Sequence, residues 1–144
     1  MTRLTILFLR LALGVSFLSA VADRFGLWGK YGQPHVAWGN FARFTAYTAK
    51  LLWFLPHRLI PAFAWIATAA EIALGIALIL GVLPRIAALL SGVLLLLFAL
   101  AMAFSLGIKA PLDFSVFSAS AGAFCLAAMA KHSGHSGGSM KPRS

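Results

Sequence analysis

Pro61-Ala-Phe-Ala-Trp-Ile-Ala-Thr-Ala-Ala-Glu71-Ile-Ala-Leu-Gly-Ile-Ala-Leu-Ile-Leu-Gly-Val82 is apolar for long enough to cross a bilayer, and it carries one carboxyl group near its middle. About 20 consecutive, predominantly apolar residues make a membrane-spanning helix. The same length rule draws three further spans, Leu4 to Ala22, Ile86 to Leu106 and Phe114 to Ala130, the last of about 17 residues and at the short limit. Lipid offers the backbone no hydrogen-bond partner, and the chain lacks the alternating pattern of barrel strands, so the spans are expected to be helices. Gly81-Val82-Leu83-Pro84-Arg85 and Ser105 to Asp113 are short connections with glycine and proline at helix ends. The expected fold is all-α, an integral membrane antiparallel four-helix bundle occupying residues 1–130, followed by a basic, polar tail over 131–144 that has no core to fold around.

Composition agrees with that reading. The chain is 61% hydrophobic and 10% charged, against about 45 to 50% and about 25% for ordinary globular proteins. Its net charge of +9 is scattered over loops and ends without forming a basic stripe, which argues against nucleic acid and for the lipid bilayer, with its anionic headgroups, as the partner. Arg3, Arg85, Lys131, Lys141 and Arg143 fall on one side, and Arg24, Lys30, Arg43, Lys50, Arg58 and Lys109 on the other. The positive-inside rule therefore leaves orientation open, with the acid-free tail leaning towards the cytoplasm. Arg3 and Ala20-Val21-Ala22 imitate a signal peptide, but Arg10 interrupts the apolar run and favours a retained span.

The first connection, Asp23 to Ile60, is too long for a turn. It holds Trp28, Trp38, Trp53, Tyr31 and Tyr47, residues that favour the water–lipid boundary. After Asn40, a good N-cap, Phe41, Phe44, Thr48, Leu51, Leu52 and Leu55 share one helical face, with Arg43, Ala46 and Lys50 on another. This predicts an interfacial amphipathic helix over Phe41 to Leu55, stopped by Pro56.

Glu71, Arg10 and Asp113 are the candidate catalytic residues. Glu71 lies about 15 Å into its span, near the midplane, where a carboxyl group by default faces a partner, a cavity or a substrate. Arg10 is the available cation within the spans. The two are offset by roughly 7 Å along the membrane normal if neither helix tilts, and their side chains lean apart. Gly14 and Gly75, each four residues on, allow a neighbouring helix to approach on the same face. A buried polar network that fixes helix register explains the pair as readily as a ligand or proton site does. Asp113 reads as the N-cap of the last span, or as a proton relay bordering one polar mouth with Asp23 and Arg24. Ser115, Ser118, Ala119, Gly122 and Ala123 form a seam for close helix contact. Cys125 reads as a small buried hydrophobe and leaves no intramolecular disulfide. No histidine lies within a span, which argues against bis-histidine haem. His132 and His135 make only a weak metal motif, and no metal site is expected.

Leu9-Arg-Leu-Ala-Leu-Gly-Val-Ser-Phe-Leu18, the glycine- and aromatic-containing loop, and Ala70-Glu-Ile-Ala-Leu-Gly-Ile-Ala-Leu-Ile-Leu-Gly81 followed by Pro84-Arg85 resemble the DoxX family of small four-helix bacterial membrane proteins. Lys109-Ala-Pro-Leu-Asp-Phe-Ser-Val-Phe-Ser-Ala-Ser120 resembles the start of the last helix in one branch. The resemblance covers roughly residues 4 to 130, with Arg10 and Glu71 at the family's intramembrane Arg and Glu positions. It implies a membrane subunit of a quinone-linked thiosulfate, sulfur or thiol-stress redox complex. The first span departs from the family's usual Gly-x-x-Lys ending, reading Ala20-Val21-Ala22-Asp23-Arg24.

Two main readings follow. In the first, the chain is a bacterial inner-membrane subunit in which Arg10 and Glu71 offer a polar site to a quinone, Asp113 relays protons, and electrons come from a redox partner protein because the chain has no redox centre of its own. In the second, it is a non-catalytic scaffold that recruits soluble partners through its loop and tail. A third, a small transporter, would require a homo-oligomer.

Overall fold

A computed structural model describes residues 2–133, and every regular element among them is helical. The helices are α1 (Arg3–Arg24), α2 (Phe41–Leu51), α3 (Ile60–Leu80), α4 (Pro84–Leu106), α5 (Lys109–Asp113) and α6 (Val116–Ser133). Three are long and apolar enough to cross a membrane, namely α1, α3 with the single turn His57–Leu59 before it, and α4; the apolar part of α6, Val116–Ala130, is shorter. Side chains such as Leu4, Phe8, Ile66, Leu97 and Phe104 stand exposed along them, Phe104 by 84%. That surface suits a lipid solvent, and a monomer in water rarely carries so much of it.

Local chemistry sets the helix ends. Thr2 caps α1 by accepting from the Thr5 N–H at 3.3 Å. Pro61 and Pro84 fall in the first turns of α3 and α4, where a missing N–H costs nothing. Gly81 takes a left-handed conformation (φ 75°) and closes α3, its N–H and that of Val82 both donating to the Ala77 carbonyl, as a glycine C-cap does.

Helix α1 lies along α3, and α4 along α6, with α3 against α4 and α1 against α6 joining the two pairs. Leu13, Phe17, Leu78, Ala87, Ala88, Ala123, Leu126 and Ala127 form the buried core between them. Gly14 and Gly75 set the α1–α3 register: a Cβ on Gly14 would lie 2.8 Å from the Gly75 carbonyl oxygen, and one on Gly75 3.1 Å from that of Gly14. Between α4 and α6, the Phe124 ring would sit 2.9 Å from a Cβ on Gly92, and Ser120 Oγ donates to the Gly92 carbonyl at 2.8 Å. The small-residue seam of α6 is thus only partly used as expected. Ala123 is buried in the core, Gly122 faces Leu9 of α1, and Ser115 and Ser118 are exposed.

Four expectations change. Helix α2 ends at Leu51, not Leu55, because the chain turns at Leu52. Its apolar face is not laid on lipid: Phe44, Thr48 and Leu51 are buried, α2 touches α1, α3 and α4, and Ser105 at the end of α4 donates to the Leu51 carbonyl at 2.6 Å. The first connection is therefore a lid across one end of the spans. Cys125 is exposed on α6, not buried. The helix also runs to Ser133, into the first residues of the expected tail; the rest of that tail, with His135, Lys141 and Arg143, lies outside the described residues.

Candidate functional site

Helix α1 stops just after two charged residues that do opposite things. Phe25 and Leu27 N–H groups both return to the Ala22 carbonyl, and Gly26, at φ 75°, donates to that of Asp23. This turn sends Asp23 towards the lid and Arg24 towards the helices. Asp23 Oδ2 accepts the Ala37 N–H at 2.8 Å, and its Oδ1 accepts those of Trp38 at 3.3 Å and Gly39 at 3.0 Å. One carboxylate thereby satisfies three successive backbone donors in a loop that has no ladder of its own.

Arg24 is only 2% exposed and Glu71 4%. Arg24 Nη1 forms an ion pair with Glu71 Oε2 and donates to Thr68 Oγ1 at 2.9 Å; the Thr68 hydroxyl in turn donates to the Ala64 carbonyl at 2.8 Å. The guanidinium lies 3.6 Å from the centroid of the Phe44 ring and 5.4 Å from that of Trp38, a cation held on aromatic faces. Its Nε has no hydrogen-bond partner among the described residues. Around this cluster Trp38 meets Phe44 edge-on and leans on Tyr47, whose phenol is pushed up in pKa by burial. Phe41 stacks between Phe25 and Trp65.

The structure does not bring the three predicted site residues together. With Gly14 opposite Gly75 in antiparallel helices, Arg10 stands opposite Ile79, eight residues from Glu71 and about 12 Å away along the axis. There its Nε donates to the Leu78 carbonyl at 2.9 Å and Nη2 to that of Ile79 at 3.2 Å, neutralising the negative end of α3. Asp113 does not cap the last span. It ends the short α5, is paired with Lys109 on the exposed surface, and is cut off from α6 by Ser115, whose φ of 55° breaks the helix. The residues that sequence reasoning missed are Arg24, as the partner of Glu71, and Thr68, Trp38 and Phe44 around it. Thr68 could have been found, since it lies three residues before Glu71 on the same helical face.

Beside this cluster, on the outer side of α1, a cleft of about 610 Å³ is lined by Val15, Ser16, Ser19, Ala20, Asp23, Trp28 and His35. Trp28 Nε1 donates to the main-chain oxygen and Oγ of Ser19, both at 3.1 Å, and His35 Nε2 lies 3.1 Å from the Trp28 carbonyl.

A family model described as methylamine utilisation protein MauE matches residues 2–113. The chain belongs to the MauE family. The MauE match runs from α1 through α5 and so includes the lid and the Asp23, Arg24, Thr68 and Glu71 cluster, leaving α6 beyond it. No curated protein and no solved structure matches the chain. Family and helices together make this a multi-pass membrane protein of a small membrane family, in contact with the lipid bilayer. The family shown is MauE, and the likeness to DoxX remains a resemblance of the segments that carry it.

Proposed function

We propose that this chain is a bacterial inner-membrane subunit of a quinone-linked redox system, a four-helix membrane platform on which a redox partner works. The observation that carries the reading is the continuous cluster from Asp23 through Arg24 to Glu71, which fastens an ordered aromatic lid to the membrane helices. Such an arrangement suits presenting a fixed surface. Membership of a family linked to methylamine utilisation is consistent with a membrane subunit of a redox-related system, and the DoxX resemblance points the same way. Glu71, closed in by Arg24 and the lid, serves in this reading to hold the platform, and Arg10 to finish α3.

The test is quinone reduction in membrane vesicles from cells that carry the whole system, with and without this chain. Loss of substrate-dependent quinone reduction on deletion, restored by the wild-type chain, is the expected result. Undiminished reduction without it overturns the quinone link.

A second reading, a scaffold with no part in electron flow, is favoured by the lid's outer surface. Lys30, Arg43, Lys50 and Arg58 are all exposed there, and residues 25–60 contain no acid. It predicts that a soluble partner leaves the membrane fraction when the chain is deleted, while quinone reduction stays intact.

A further inference from the structure

We infer that the cleft beside α1 binds an uncharged amphiphile whose head carries carbonyl or hydroxyl oxygens. Its volume, about 610 Å³, falls in the range of small-molecule sites, about 300 to 1,000 Å³. Its walls change character along its length. Asp23 and His35 stand at the lid end, Ser19 and Trp28 in the middle, and Val15 and Ser16 at the far end, Val15 about 12 Å from Asp23 along α1 by the helical rise, where the surrounding surface is apolar. A ligand with a polar head and an apolar tail matches that gradient.

The donors and acceptors define the head. A carbonyl oxygen only accepts, so His35 Nε2 is the donor to Trp28, and Nδ1 is the ring's second polar atom. Ser19 Oγ already accepts from the Trp28 indole, which leaves its own proton to donate. The Ser19 hydroxyl and the His35 ring thus border a single space, the hydroxyl suited to donate to a carbonyl oxygen and the ring to exchange a hydrogen bond with a hydroxyl. Charge narrows the class further. No Lys or Arg lines the cleft, and its one charged residue is the Asp23 carboxylate, so an anionic phosphate head would meet repulsion and no counter-charge. Ser16 donates to the Ala12 carbonyl at 2.7 Å, so its hydroxyl is satisfied within α1 and asks nothing of a ligand's apolar tail.

This inference rests on the membrane placement of the proposed function but not on any partner protein, and the purified chain in lipid nanodiscs tests it. The probe is a benzoquinone with a decyl tail, whose binding is read as quenching of tryptophan fluorescence; Trp28 forms part of the wall. Saturable quenching is expected. Ser16→Phe, which fills the lower cleft from an exposed position, should weaken it by about tenfold or more with helicity and melting unchanged. His35→Ala should weaken it roughly fivefold, the worth of one neutral hydrogen bond. Non-saturating quenching that follows bilayer partition, or equal affinity in wild type and Ser16→Phe, overturns the site. Stronger displacement of the probe by phosphatidylglycerol or phosphatidylethanolamine than by diacylglycerol overturns the assignment to an uncharged head. Intact binding with no effect of the chain on quinone reduction in membranes would sink the platform reading alone.

Discussion

The guanidinium of Arg24 reaches Glu71 from above. Its Cα stands opposite Trp65 in the register set by Gly14 and Gly75, and the side chain leans towards its own helix N-terminus, as helical side chains do, passing Thr68 to close the ion pair. The lid, α1 and α3 thus share one side chain.

Removing one member of this pair should cost far more than removing both. Glu71→Gln leaves a buried guanidinium without its counter-charge, and breaking such a pair typically costs about 3 to 5 kcal/mol. Arg24→Met combined with Glu71→Leu should recover most of that loss, measured by denaturant unfolding in a fixed detergent. If the double variant also keeps quinone-linked activity, the pair serves the structure and takes no part in proton transfer.

Double-mutant cycles separate the two arginines. Arg24 and Glu71 should couple by more than about 1 kcal/mol, whereas Arg10 and Glu71, about 12 Å apart by register, should be additive within about 0.5 kcal/mol. Coupling of Arg10 to Glu71 as large as that of Arg24 would contradict the register. Arg10→Leu alone should lower stability by about 0.5 to 2 kcal/mol through the uncapped end of α3.

Asp23→Ala removes the acceptor for three backbone donors at once. The lid should loosen by about 1 to 3 kcal/mol, and limited proteolysis between Phe25 and Asn40 should speed up by tenfold or more while the membrane helices stay intact. Proteolysis at the wild-type rate would show that the aromatic contacts alone hold the lid.

Gly14→Ala places a methyl group 2.8 Å from a backbone oxygen that cannot turn away. The helices must part, at about 1 to 3 kcal/mol. Gly75→Ala, whose nearest atom is at 3.1 Å, should cost less, and a reversed order would refute the close backbone approach.

The apolar helices were legible because their signal is a long apolar run: three of the four stretches are helices long and apolar enough to cross a membrane, and the fourth is a shorter apolar helix. The glycine turn at Gly81 and the amphipathic face of α2 were legible for similar reasons of local pattern. The partner of Glu71 was not read. Arg24 lies at the end of its span, where a cation is ordinarily assumed to meet water, and only the Gly14–Gly75 contact brings it within reach. Those two glycines were visible as a close approach, and pairing them would have placed Arg10 opposite Ile79. Asp113 was misplaced because nothing local marks Ser115 for a left-handed conformation. The lid was beyond sequence reasoning, since its anchor is a carboxylate binding main-chain donors some fifteen residues away.

The Arg24–Glu71 pair also imposes an order on biogenesis. Synthesis delivers Arg24 with the first span, and its counter-charge follows only after the whole loop and half of the next span have emerged. Until then Arg24 has to stay hydrated at the membrane surface. The Asp23 end of the lid can form with the first span, its Arg24 contact is completed only when Glu71 arrives, and its Leu51 end docks only after Ser105 of α4 has followed, so the lid closes in the order in which the helices are made.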